Sequence, residues 1–268
     1  MKSLALAVAG LLLLGNAAGA APGDAVYTQP GTLVPSGAGR LNFYCMGNGS
    51  PAVVFEAGHT GWSPVWAVVQ PRIAAWTQAC SYDRAGLGFS DPGPKPRTSA
   101  RIAAELYRAL HEAGVPGPYI LVGRAFGGTI VRNFADDYLP EVAGLVLIDT
   151  DARDVEPAAL DKRWPDFFAR QHKRLQACRD AVAEHKPWPS LPGRLGGPPR
   201  TCDDEFLTGD PAFSPELNAK LQELAHTRVD SYDEVISELD ELLWDDRYLR
   251  SHRKSLGARP LRLLTPLR

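Results

Sequence analysis

The segment Leu121-Val122-Gly123-Arg124-Ala125-Phe126-Gly127-Gly128 has the residue types and spacing of a reaction site. An apolar strand-like run enters it and a helix-like run leaves it, with glycines two residues on either side of Ala125. Small flanking residues let a backbone turn sharply from strand to helix. The central side chain then stands above the carboxyl edge of a sheet, and the N-terminus of the next helix points at it. A serine in that place is a nucleophile for acyl transfer. This chain has G-x-A-x-G where the chemistry wants G-x-S-x-G. A methyl group has no lone pair to attack a carbonyl, so Ala125 marks a nucleophile position lacking the Ser hydroxyl. Backbone donors survive that loss. The N–H groups of Phe126 and His59, with Thr60 as the neighbouring candidate, are expected to point at a substrate oxygen whatever residue 125 carries.

Other groups offer less. The histidines are His59, His111, His172, His185, His226 and His252. Each is expected to be a surface or satisfied histidine. Asp149 follows a buried strand and is a candidate acid, whereas Asp83 beside Arg84 reads as structural. Asp203-Asp204-Glu205 lacks the spaced ligands of a cation site and reads as a solvated face. No metal site and no cofactor is expected. Trp62, Trp66 and Trp76 are candidates for a pocket wall or for core packing.

These residues need a scaffold, and the chain supplies one. Strands are expected at Leu41–Met46, Ala52–Ala57, Cys80–Asp83, Tyr119–Val122 and Val142–Ile148. Helices are expected from Ser63-Pro64 to about Trp76, at Ser99–Ala113 with Thr98 as cap, and at Gly128–Tyr138. Strands alternating with helices at this spacing imply a mostly parallel sheet with helices on both faces. The alternation stops after Thr150. From there to about Leu256 the chain reads as helices and a Pro/Gly stretch, Pro187–Pro199, with no convincing strand. One helix starts at Ser214-Pro215-Glu216 and another covers Tyr232–Leu243. Pro260–Leu264 resumes strand character.

The N-terminus reads as an address. Lys2 precedes an apolar run from Leu4 to Leu14, and Ala18-Gly19-Ala20 has the pattern of a signal-peptidase site. That run is too short to span about 30 Å of hydrocarbon, so no membrane anchor is expected. A secreted or periplasmic location follows. Cys45, Cys80, Cys178 and Cys202 form an even set that an oxidising compartment would pair. Three pairings exist for four cysteines. Locality favours Cys45–Cys80 with Cys178–Cys202, against four buried free thiols.

Composition bounds the function. The chain has 268 residues, 44% of them hydrophobic, and a net charge of −2, too little charge and too much apolar content for disorder. No basic surplus exists to attract nucleic acid. A soluble globular protein that binds something small is expected, of unknown oligomeric state.

Four segments resemble secreted α/β-hydrolases of the esterase-like type. Phe55-Glu56-Ala57-Gly58-His59-Thr60-Gly61 resembles their oxyanion-hole loop after the third strand, and Ser81 to Asp91 their Y-D-R-x-G-x-G-x-S segment. Gly117 to Gly128 resembles their elbow and Glu141 to Asp149 the strand after it. The resemblance implies an α/β-hydrolase fold with a helical cap insertion. With residues 1–20 read as a signal peptide, it divides the rest into a core at 21–149, a cap at 150–256 and a return to the core, as seventh strand, at 257–268. It also implies hydrolysis of small carboxylic esters by Ser, acid and His in that chain order. Here the nucleophile falls on Ala125, Arg124 stands where the family often has His, and no histidine matches the base. An eighth strand and final helix would need roughly 45 more residues, so the fold is expected to be C-terminally incomplete, with strand 261–264 as an exposed edge. The chain is expected to be inactive or strongly impaired, a pseudoenzyme of a hydrolase lineage. The alternative is a non-catalytic small-molecule-binding protein on a hydrolase scaffold.

Overall fold

The computed structural model describes residues 23–150, 164–193, 197–206 and 209–265. The apolar run Leu4 to Leu14 and the Ala18-Gly19-Ala20 site lie outside them. Seven strands are present: β1 (Thr32–Pro35), β2 (Arg40–Met46), β3 (Ala52–Glu56), β4 (Ala79–Asp83), β5 (Tyr119–Arg124), β6 (Val142–Ile148) and β7 (Leu261–Leu264). They form one sheet in the order β1-β2-β4-β3-β5-β6-β7. The neighbours from β4 to β7 are all parallel, and β2 is antiparallel to both β1 and β4. Strands β3 and β4 are buried at every residue, as the centre of a two-faced sheet requires.

Helices cover both faces. On one, Val54, Cys80, Leu121 and Leu145 pack beneath α2 (Ser99–Glu112) and α3 (Phe126–Asp137). The Thr98 side chain accepts from the N–H of Arg101, and Ile102, Leu106 and Leu110 form the buried stripe of α2. On the other face, Val53, Phe55 and Val122 pack against Trp66. The single helix expected from Ser63 to Trp76 is instead a 3₁₀ turn, Ser63–Trp66, and a short helix α1, Gln70–Ala74. Pro71 explains the break. It has no N–H to donate, and its ring clashes with the carbonyl four residues back. Trp76, placed on that helix by its sequence, is 87% exposed and is neither pocket wall nor core. Strand β1 was not expected; it has only four residues, between Gly31 and Ser36.

The described residues beyond Thr150 form α4 (Trp164–Ala183), α5 (Pro215–Thr227) and α6 (Val229–His252) before the chain returns in β7. The Ser214 side chain caps α5 by accepting from the N–H of Leu217. Strand character there is limited to one isolated bridge, Leu191 with Arg200. Leu217, Leu221, Val235 and Leu239 join Tyr27, Tyr44 and Trp62 in a second apolar cluster. Among the described residues β7 pairs only with β6, and Leu263 and Leu264 are exposed.

Both expected cysteine pairs lie at disulfide distance. Cys45 and Cys80 face each other across β2 and β4, with Cα atoms 4.1 Å apart. Cys178 on α4 meets Cys202, with Cα atoms 5.7 Å apart and a sequence separation of 24. Chain-entropy arithmetic gives a loop of that size about 3.5 kcal/mol. Replacing Cys178 and Cys202 together by alanine should lower the urea-unfolding free energy by about that amount.

Candidate active site

Ala125 is the N-cap of α3, at φ 48° and ψ −118°. A non-glycine residue at positive φ is strained and persists only where its surroundings hold it. They do so here. The N–H of Ala125 donates to the Ile148 carbonyl at 3.0 Å, and the Ala125 carbonyl accepts from the N–H of Gly128 at 2.9 Å. The flanking glycines permit close approach. A Cβ on Gly123 would lie 2.5 Å from the Gly127 carbonyl oxygen, and one on Gly127 would lie 2.5 Å from the carbonyl oxygens of Ala57 and Glu56. Helix α3 therefore rests on the end of β3, and the turn presents residue 125 at the carboxyl edge of the sheet.

The loop after β3 lies against this turn. A Cβ on Gly58 would sit 3.4 Å from the Ala125 Cβ. Thr60 has φ 63°, and the N–H of Gly61 donates to the Gly58 carbonyl at 3.0 Å. The His59 ring meets the Phe126 ring edge to face, with centroids 6.5 Å apart. The structure thus brings Ala125, Phe126, His59 and Thr60 together. His59 is tied to the cap. Its Nε2–H donates to the carbonyl of Val235 on α6 at 2.7 Å, and burial lowers its pKa.

The remaining candidates are dispersed. His111 stands 3.9 Å from Glu141, and His172 stands 3.5 Å from Asp240. His226 stacks on Trp188 with centroids 3.7 Å apart, and His252 bonds Ser251 Oγ at 2.9 Å. His185 lies past the end of α4 with φ 53°. Asp149 follows β6 with φ 47° and an exposed side chain. Asp83 is buried and accepts from Ser63, Asn42 and the N–H of Phe89, tying loops to the sheet. The acidic run 203–205 is not a solvated face throughout. Glu205 is buried and accepts from Gln171 at 2.5 Å and from Arg174, because α4 packs directly over it. Among the described residues no group of three His, Cys, Asp or Glu side chains could hold a metal ion.

One constellation was not foreseen. Arg84 is buried under α6. Its guanidinium donates to Glu56 at 2.8 Å, to Glu238 at 2.7 and 3.1 Å, and to the carbonyls of Ala57 and Gly58 at 3.0 Å. It also lies 5.8 Å over the Phe126 ring. The Tyr82 hydroxyl donates to the other oxygen of Glu56. Burial pushes Glu56 up to about 7, against the opposing pull of Arg84. A glutamate ending an otherwise apolar strand was the available signal. Its partner Glu238 lies 154 residues from Arg84 and carried none.

A cavity of about 320 Å³ lies elsewhere, between the end of α4 and α5, with Lys186, Trp188, Thr201, Asp203 and His226 among its walls.

A family model described as the alpha/beta hydrolase fold matches residues 51–188. An uncharacterised protein of Bacillus subtilis, YqjL, is 32% identical over 142 residues, covering 52% of this chain and 53% of YqjL. An AB hydrolase superfamily protein of Gibberella zeae is 35% identical over 85 residues, covering 31% of this chain and 26% of its own. Among solved structures, an epoxide hydrolase of Vigna radiata superposes with TM-score 0.61 at 14% identity, covering 88% of this chain and 80% of that one. The epoxide hydrolase CorEH superposes with TM-score 0.57 at 18% identity, covering 88% and 81%. The matched segments span between 15% and 53% of the curated relatives' lengths.

Proposed function

The chain belongs to the alpha/beta hydrolase fold family, and from that premise we propose that it is a member without a working nucleophile. One observation carries the reading. The strained turn that a nucleophile would occupy, at φ 48°, holds the methyl group of Ala125. The expected donors of an oxyanion hole, the N–H groups of Phe126 and His59 or Thr60, belong to residues beside it. They favour a ligand with a carbonyl or similar oxygen, a small ester-like molecule. The reaction that relatives perform would need a hydroxyl at 125 and a free imidazole. No hydroxyl is supplied at 125, and the histidine beside the turn is tied through its Nε2–H to the Val235 carbonyl of α6.

In this reading residues 1–20 direct export, 21–149 and 257–268 form the hydrolase core, and 150–256 form a cap. Two disulfides fit an oxidising compartment. A second reading, small-molecule binding without turnover, is favoured by the cavity in the cap, whose 320 Å³ is at the low end of ligand pockets.

Assay with p-nitrophenyl acetate tests the proposal. The chain should not exceed the buffer rate, and Ala125→Ser should remain within about tenfold of it, because an unassisted serine hydroxyl is a poor nucleophile. Turnover by the unmodified chain on the order of 1 s⁻¹, the low end for enzymes, would overturn the reading. The same rate in Ala125→Ser alone would mean that a base is present after all.

A further inference from the structure

Helix α6 carries Glu234 and Glu238 one turn apart, and both point into the sheet domain. Glu238 takes Arg84, as described. Glu234 stands 3.1 Å from Arg97 Nε, and the N–H of Gly93 donates to it at 3.2 Å. Arg97 is also held by Glu105 of α2 through two bonds of 2.7 Å. Two guanidiniums therefore face four carboxyls, and all six side chains are at most 2% exposed. With every carboxyl ionised, two net negative charges would be buried, which is costly. Two protons remove them.

The other charges around α6 do not alter that balance. Burial lowers the His59 pKa and so favours its neutral form. Tyr82 beside Glu56 is a neutral phenol, held so by burial. Lys95, near Glu234, is solvent-exposed. Glu205, which acts on His59 from the 202–205 turn, is paired with Arg174. Arg179 of α4 pairs with Asp233, and His172 faces Asp240, both at the half-exposed side of α6. Arg228, just before α6, faces Asp230. At the far end Lys254 and Arg132 bind Asp136 of α3.

We propose that this cluster is a proton-operated latch, which holds α6 over residues 57–60 and Phe126 while two of its four carboxyls are protonated and releases the helix when they ionise. The closed helix covers the site through named bonds. Val235 accepts from His59, Ser231 Oγ donates to the Gly86 carbonyl at 2.8 Å, and Ser237 Oγ accepts from the N–H of Arg97 at 3.1 Å. Lifting the helix breaks these and returns Glu234 and Glu238 to water.

The titration follows from the same burial. Burial pushes Glu56 and Glu234 each up to about 7, opposed by Arg84 and Arg97. In the lifted state Glu234 returns to the ordinary carboxylate value of about 4.5. Closure thus binds protons. The latch is fully engaged below about pH 4.5, weakens by up to tenfold per pH unit per proton as pH rises towards 7, and stays at its weakest above that.

This inference takes only the place of the site from the proposed function, and hydrogen exchange reads it without any turnover. Amide exchange of the full chain would be followed at pH 5 and pH 7.5, corrected for the intrinsic rate. Protection of the α6 amides from Ser231 to Leu242 should fall at the higher pH by up to about a hundredfold for the Glu234 proton alone, and by more with the second proton. Protection in β5 should stay constant. Glu234→Gln, which cannot ionise, should flatten the α6 response, and adding Glu56→Gln should flatten it further. Equal α6 protection at both pH values, or loss in step with β5, overturns the latch. So does a double variant that keeps the native circular dichroism spectrum and the full pH response.

Discussion

Replacing Arg84 by methionine is expected to destabilise the protein by about 3–5 kcal/mol, measured by urea unfolding. The size follows from what remains. Glu56 and Glu238 would stay buried, 1% and 0% exposed, without their shared cation. The carbonyls of Ala57 and Gly58 would also lose their donor. The net worth of a buried pair is small, because desolvating its charges consumes most of the attraction between them. The cost of removing one partner is large, because the other keeps its desolvation penalty. Arg40 and Asp91 supply the contrast. They pair at 2.8 Å with side chains 56% and 36% exposed, where water already screens the charges. Arg40→Ala should therefore be far milder than Arg84→Met. If Arg84→Met proved as mild as Arg40→Ala, the buried network would not hold the loop to the cap. The triple variant that also carries Glu56→Gln and Glu238→Gln should recover part of the loss, since it no longer buries an unpaired charge.

Gly127→Ala should cost about 3 kcal/mol or prevent folding, with the loss read by thermal or urea denaturation. The added methyl would stand 2.5 Å from two backbone carbonyl oxygens, those of Ala57 and Glu56. No side chain can swing aside to make room. Either α3 lifts off β3 or the loop bearing His59 shifts, and both moves disturb the position of Ala125. Gly114 tests whether the effect is contact or conformation. A Cβ there meets nothing within 4 Å, but φ is +67°. Gly114→Ala should cost only about 1 kcal/mol, the strain of the left-handed backbone alone. Equal costs at the two positions would mean that the elbow tolerates the closer contact.

Much of the architecture is legible in the amino-acid sequence because its signals are local. Ser214 and Thr98 cap helices by bonding N–H groups three residues on, within reach of a short sequence window. Val142–Ile148 forms the strand its unbroken apolar run implies. The glycines of G-x-A-x-G mark the turn because the approach of α3 to β3 leaves no room for a Cβ. The cysteine pairs follow from proximity along the chain, at separations of 35 and 24. Local signals also mislead. The Ser63-Pro64 start signal suggests one helix to about Trp76, yet Pro71 divides the segment and Trp76 lies in solvent.

The sequence by itself determined the fold class, the turn and the missing hydroxyl at residue 125, since each depends on residue type at short range. Only the tertiary structure decided what surrounds that turn. The partners of Arg84 stand 28 residues before it and 154 after it, and Arg97 meets Glu234 across a similar gap. Periodicity marks Val235 and Leu239 as the apolar stripe of α6 and would leave Glu234 and Glu238 on its wet side. Folding the cap onto the sheet buries both instead. The reason is physical. Caps, turns and apolar stripes act over a few residues along the chain, whereas the energy of a buried charge depends on which groups the fold brings within about 3 Å of it.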